Sequence, residues 1–238
     1  MKLPARNHLF EQIHGILWDK IRSGEIVSGQ RLKDIEWARK LNVSRTPVRE
    51  AMRKMQQEGV LIPLAQGGYE VRPTSRADLI ELYRCRAALE ALAAEEAAMR
   101  CNPAAAKHLE ALVTRCDRAI ERGDLDAAFA LNTDFHTALI ELSANRHLAD
   151  LLDTLRRLVL FYRSALLQHS KSDAGNQALY LDRLRVKQDR HREILAALVR
   201  RDGAQAALLM QSHVRETAED LLPALPETPR TGEERSAA

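Results

Sequence analysis

The string Val43-Ser44-Arg45-Thr46-Pro47-Val48-Arg49-Glu50-Ala51-Met52 holds the densest set of groups able to grip a polyanion. Ser44 suits a helix N-cap and Pro47 suits a first turn. Ser44, Arg45 and Thr46 therefore crowd a helix N-terminus, where free N–H groups and the positive end of the dipole favour phosphate oxygens. Arg49 lies one turn further along the same face. An arginine fork matches the two acceptors on a guanine edge, so Arg45 and Arg49 are the candidates for reading bases.

A second set lies far downstream. Asn132 and His136 stand four residues apart inside an apolar stripe of Leu125, Ala128, Phe129, Leu139 and Ile140, so both point the same way. His191 is in line with Leu184, Leu195 and Leu198, and His213 with Ala206, Met210 and Thr217. Each lies eleven residues from Asp202, so an antiparallel helical hairpin puts the two level. Three imidazoles and a carboxamide converging in a bundle are donors for a divalent cation, zinc first, with nickel or manganese as alternatives. The other reading is that each histidine satisfies a separate local hydrogen bond. Arg86 shares an inward stripe with Leu82, Leu89 and Ala93. A buried guanidinium needs an anion, either Glu90 one turn along or a ligand carboxylate. Arg163, beside Tyr162, is the second such cation. A metal with an open position plus one arginine describes a pocket for a small organic acid. Cys85 reads as a packing residue, and His8, His14, His108, His147 and His169 as surface or packing residues.

These groups need two kinds of scaffold. In residues 1–73, one helix carries Leu9, Ile13, Ile16, Leu17 and Ile21 and stops at Ser23-Gly24. Leu32, Ile35, Ala38 and Leu41 mark a second, and Asn42 suits the left-handed turn before the third. Val60-Leu61-Ile62 and Tyr69-Glu70-Val71 flank Gln66-Gly67-Gly68 as a two-stranded hairpin, whose Gly67 and Gly68 would let backbone approach a minor groove. The sum is a winged helix-turn-helix. After a linker at 74–76, residues 77–222 read as helices over roughly 75–99, 103–122, 126–143, 145–169, 182–201 and 203–222. The expected fold is mainly α: an N-terminal winged helix-turn-helix plus a C-terminal antiparallel six-helix bundle, with a disordered tail over 223–238.

Charge divides the same way. The chain of 238 residues carries net +3, made of +5 in residues 1–73 and −2 in the rest, so the polyanion partner belongs to the first part. Three widely spaced cysteines make neither a disulfide framework nor a metal knuckle. No stretch approaches the roughly 20 apolar residues of a membrane span, and a cytoplasmic protein without membrane contact is expected.

Residues 9–71 resemble the GntR family of bacterial transcription regulators. The likeness rests on Ile21-Arg22-Ser23-Gly24-Glu25-Ile26, Gly29-Gln30-Arg31-Leu32, the S-R-T-P-V-R-E-A string and Glu58-Gly59-Val60-Leu61. Ile35 stands where the family often has a base, and the wing tip Ala65-Gln66 lacks the usual one. Residues 75–222 resemble the FCD domain of the FadR-type branch, in its shorter VanR-like, six-helix form. That likeness rests on Arg86-Ala-Ala-Leu-Glu90, Phe135-His136, Ser143-Ala-Asn145, His191-Arg-Glu-Ile-Leu-Ala-Ala-Leu and His213. It implies a metal held by positions 132, 136, 191 and 213, with Asn132 replacing the usual Asp, and an effector beside Arg86. It further implies a homodimer on a palindromic operator in double-stranded DNA, a repressor released by a small carboxylate metabolite. Two alternatives stay open: a bundle that only dimerises, and a metal-dependent hydrolase, although no HExxH motif is present.

Overall fold

Apolar residues at helical spacing build α1 (Arg6–Arg22), whose Ile13, Leu17 and Ile21 pack on α3 (Arg45–Gln57) through Val48, Ala51, Met52 and Met55. Between them, β1 (Arg31–Leu32) leads into α2 (Asp34–Leu41). After α3, β2 (Leu61–Pro63) and β3 (Tyr69–Val71) form the hairpin. The computed structural model describes residues 6–73, 75–171 and 173–225.

The expected hairpin forms, with Leu61 opposite Val71 and Ile62 opposite Glu70, but the sheet has a third strand. β1 adds to its far side, giving the antiparallel order β1-β3-β2 with Leu32 opposite Tyr69 and Arg31 opposite Glu70. Leu32 was expected on the second helix, because its spacing from Ala38 and Leu41 fits a helix as well as a strand. Here Leu32 is buried in the sheet, Lys33 takes the N-cap position, and α2 buries Trp37 and Ala38 while Ile35 is exposed. β1 also explains Gly68. Its φ is +82°, and a Cβ there would stand 2.9 Å from the Leu32 carbonyl oxygen. Close passage of two backbones requires this glycine, independently of any approach to a groove.

From α4 onward the described structure is helical: α4 (Arg76–Arg100), α5 (Pro103–Glu121), α6 (Leu125–Leu142), α7 (Arg146–Ser170), α8 (Ala174–Val199) and α9 (Gly203–Leu221). α4 packs on α9, α6 and α8; α5 packs on α6 and α8. The α4 face is rich in alanine (Ala87, Ala93, Ala94, Ala97 and Ala98 are fully buried), which lets its neighbours approach closely. Asn102, Asp124, Asp173 and Asp202 cap α5, α6, α8 and α9, each accepting a backbone N–H bond three residues on. The Asp173 cap starts α8 eight residues ahead of the expected 182, at a polar stretch that reads as loop because Gly175 and Asn176 are poor helix formers.

The chain divides into two units. One comprises the described residues up to Ser75 with Arg156–Gln168 and Leu225; the other comprises Arg76–Leu155 and His169–Ala224. The middle of α7 thus groups with the N-terminal unit. Leu222–Ala224 make one 3-10 turn. The rest of the expected tail, 226–238, and Thr74 of the expected linker lie outside the described residues. No described helix is long and apolar enough to cross a membrane.

Candidate functional site

Two constellations carry chemistry, one in each unit. In the first, Asn42 adopts φ 53° and ψ 45° and turns the chain between α2 and α3. Ser44 takes extended dihedrals at the N-cap of α3, but its hydroxyl makes no capping bond. With Val48, Met52 and Met55 turned inward, Ser44, Arg45, Thr46 and Arg49 are all exposed, on the face the sequence assigned to DNA. The third strand brings a feature the sequence reading missed. Arg31 and Lys33 line a cleft of about 320 Å³ with Leu64, Ala65, Gln66 and Gly67, so basic side chains flank the wing although its tip has none. Behind this surface, buried Glu58 accepts from Trp18 Nε1–H at 2.9 Å and pairs with His14 Nε2 at 2.8 Å and with Arg157. His14 therefore has a specific carboxylate partner rather than a mere packing role. Burial pushes the Glu58 carboxyl up, but the His14 and Trp18 hydrogen bonds and the charges of His14 and Arg157 hold it below its ordinary value.

In the second unit, His136 comes from α6, His191 from α8 and His213 from α9, all buried. His213 Nε2 lies 3.2 Å from His191 Nε2 and 3.2 Å from His136 Nε2. The other ring nitrogens explain why these three face each other. His191 Nδ1 bonds Gln188 Oε1 at 2.8 Å, and the Gln188 amide nitrogen donates to Val113 O and Asp117 Oδ1. His136 Nδ1–H donates to Glu90 Oε2 at 2.6 Å. Both rings are thereby held as Nδ1–H tautomers, with Nε2 lone pairs turned inward. His213 Nε2–H could donate to one of them only, and His213 Nδ1 is buried without a hydrogen-bond partner among the described residues. Burial, then the nearby His191 and His136, drives the His213 pKa well below its ordinary value, so the ring is neutral and fit to ligate.

The donors fit a metal. Tetrahedral Zn–N bonds of about 2.0–2.1 Å put ligand nitrogens about 3.3–3.4 Å apart, and the two separations here are 3.2 Å. Asn132, buried one turn before His136 on α6, shares its face. Phe135 stacks on His191 with ring centroids 4.1 Å apart, walling one side with hydrocarbon.

Glu90 is the residue whose full role the sequence hid. Its Oε1 accepts from Arg86 Nε–H at 2.5 Å while Oε2 takes His136, so one carboxylate joins the arginine to the imidazole. Burial alone would raise its pKa, yet Arg86 and His136 overcome that and hold it at about 2. Arg86 thus has the one-turn partner weighed from sequence. Arg163 is buried too, on the α7 segment of the first unit. His108 and His147 are exposed, the His8 and His169 side chains lie outside the described residues, and Cys85 is exposed rather than packed.

An exposed basic helix N-terminus on a winged helix-turn-helix, followed by a helical domain with a buried histidine cluster, is the architecture of a DNA-binding regulator. The comparisons agree: the bacterial regulatory proteins, gntR family, match residues 2–71, and the FCD domain matches residues 81–216. The chain belongs to the GntR family of transcriptional regulators and carries an FCD domain. It is 31% identical over 163 residues to the HTH-type transcriptional regulator YdhC of Bacillus subtilis, covering 68% of this chain and 73% of that protein. It is 29% identical over 211 residues to the HTH-type transcriptional repressor RspR of Escherichia coli, 89% of this chain and 88% of that one. Among solved structures it resembles E. coli McbR/YncC in fold, with a TM-score of 0.71 and 24% identity, over 90% of this chain and 97% of that one. The family regulates transcription and is not one of enzymes, which removes the hydrolase reading.

Proposed function

We propose that this regulator is a cytoplasmic repressor, dimeric on a palindromic operator, and that a small carboxylate metabolite bound at a metal in its helical domain controls its grip on DNA. His136, His191 and His213 would hold the cation, with Asn132 as a neutral fourth donor. Zinc suits this set best, with nickel and manganese as alternatives. The bound cation supplies a Lewis-acidic position for a carboxylate oxygen. The chain itself supplies the walls: Phe135 excludes water on one side, Glu90 and Gln188 fix the ring tautomers, and Arg86 adds positive charge next to them. With Asn132 in place of a carboxylate, the cation keeps more of its charge, which favours an anionic ligand.

The observation that carries this reading is the convergence of three Nε2 atoms, two pairs of them 3.2 Å apart, with two of the rings held in the ligating tautomer. Release of DNA further requires the effector to prefer the dimer geometry that does not fit the operator, since equal affinity for both shifts nothing. A second reading, a bundle that only dimerises, draws support from Glu90, which already neutralises Arg86. Elemental analysis of protein purified without chelators separates the two. About one metal per chain, lost in both His191→Ala and His213→Ala, supports the sensor; metal-free wild type, unable to bind added zinc, nickel or manganese, retires it. On the DNA side, Arg45→Ala and Arg49→Ala should each abolish selective operator binding with folding intact.

A further inference from the structure

The arginine best placed to read a base does not stand alone in solvent. Asp34, the first residue of α2, takes one edge of the Arg45 guanidinium. Nε–H donates to Oδ2 at 3.3 Å, and Nη2–H to Oδ2 and Oδ1 at 3.0 and 3.2 Å. Arg49 Nε comes within 3.9 Å of the same Oδ2. Asp34 is the fixed member of this group. Its side chain is 17% exposed, against 59% for Arg45 and 71% for Arg49, and its Oδ1 accepts from the Ile35 N–H at 2.9 Å.

A guanidinium carries five N–H donors in a planar fork. With the Nε–Nη2 edge against Asp34, the outer Nη2–H and both Nη1–H bonds have no partner among the described residues. The outer Nη2–H and the Nη1–H beside it form the end-on pair that matches O6 and N7 of guanine. A carboxylate at this spot hinders an arginine that merely neutralises phosphate, because it cancels charge and repels the backbone. It helps an arginine that reads a base, because the fork loses its rotational freedom before DNA arrives. Asp34 therefore weakens indiscriminate binding and strengthens one particular contact, which is how selectivity is raised.

We propose that Asp34 is a positioning residue that buttresses Arg45 end-on and thereby specifies a guanine in each half-site. The inference rests on Arg45 being a base reader, and its test separates the two claims. Duplexes selected by the full-length wild-type protein from a randomised pool are compared with a scrambled duplex of equal length, across a salt series. In Asp34→Asn, the preference for guanine at one base pair per half-site falls by about tenfold. Affinity for the scrambled duplex rises about threefold, and its salt dependence steepens by close to one unit of log–log slope per protomer. In the absence of Arg45 (Arg45→Ala), adding Asp34→Asn changes no base preference further. Asp34→Glu, which keeps the charge at a longer reach, retains wild-type affinity for the scrambled duplex yet loses part of the guanine preference; melts followed by circular dichroism establish that each variant is folded. Wild-type base preference in Asp34→Asn overturns the buttress, as does an equal loss with and without Arg45. If Arg45→Ala itself keeps the guanine preference, the base-reading role falls and the buttress with it.

Discussion

Replacing Glu90 by Gln leaves the shape of the helical domain almost unchanged but removes a negative charge from a site where two donors depend on it. The wild-type carboxylate presents one oxygen to Arg86 Nε–H at 2.5 Å and the other to His136 Nδ1–H at 2.6 Å. An amide presents only one acceptor, so either Arg86 or His136 meets an NH2 group instead. The heavier loss falls on Arg86, a guanidinium 6% exposed and left without a counter-ion. Charges about 4 Å apart at an effective dielectric constant of about 20 attract by about 4 kcal/mol. Removing one partner of a buried pair costs about 3–5 kcal/mol in practice. The two figures agree, and for a chain of this size about 4 kcal/mol lowers the melting temperature by roughly 8–16 °C. Thermal unfolding of chelator-treated protein at pH 7 measures this without any metal. Arg86→Met in the Glu90→Gln background should restore most of the loss, because it removes the orphaned charge. A second reading of the same variant concerns the cation: with His136 no longer held by a carboxylate, zinc affinity should fall about 10- to 100-fold in competition with a chromogenic chelator. A melting point within about 2 °C of wild type would refute the charge argument, and a double variant no better than Glu90→Gln would refute the pairing behind it.

Three other substitutions test other parts of the structure. Gly68→Ala forces a side chain into a φ of +82° and a Cβ to 2.9 Å from Leu32 O; it should cost about 1–2 kcal/mol or more in urea unfolding, and an unchanged midpoint would mean β1 is not packed as described. Glu58 has a folded-state pKa below its ordinary 4.5, so its stabilisation is fully present above that value and fades as pH falls through the folded one. Glu58→Gln should therefore be clearly less stable than wild type at pH 7, with the gap narrowing at pH 3.5; a gap independent of pH would contradict the ion-pair account. Asn132→Asp adds a charged oxygen one turn from His136 and should raise zinc affinity at least about tenfold, measured by chelator competition; no gain would place position 132 outside the coordination sphere.

How much of this was legible in the sequence depended on how local the determining physics was. The exposed face of α3 was, because Pro47 and the apolar stripe of Val48, Met52 and Met55 fix which side turns inward and leave Ser44, Arg45, Thr46 and Arg49 outside. β1 was not: Leu32 fits a helical stripe until Tyr69, far along the chain, claims it for the sheet. The start of α8 was hidden because one capping bond from Asp173 outweighs two weak helix formers. In the helical domain, helical spacing and equal distance from a turn were enough to bring His136, His191 and His213 together.

What spacing could not supply was the orientation of the rings. Position along a helix decides which side chain points inward, but the hydrogen bond on the far nitrogen decides which atom of an imidazole does. For His191 that bond comes from Gln188, three residues back on the same helix, and a polar residue at that offset was a readable signal. For His136 it comes from Glu90 on α4, and only the packing of α4 on α6 reveals it. From sequence, Glu90 has one donor to satisfy, Arg86; in the folded domain it has two, and both are cations or potential cations. The same carboxylate thus offsets the charge of the arginine next to the cluster and fixes the nitrogen that faces it. On the proposed carboxylate-sensing function, an anionic ligand drawn to Arg86 would compete with Glu90, and a shift of Glu90 would be felt at His136. That link would give a small acid a physical route to the packing of α4 against α6.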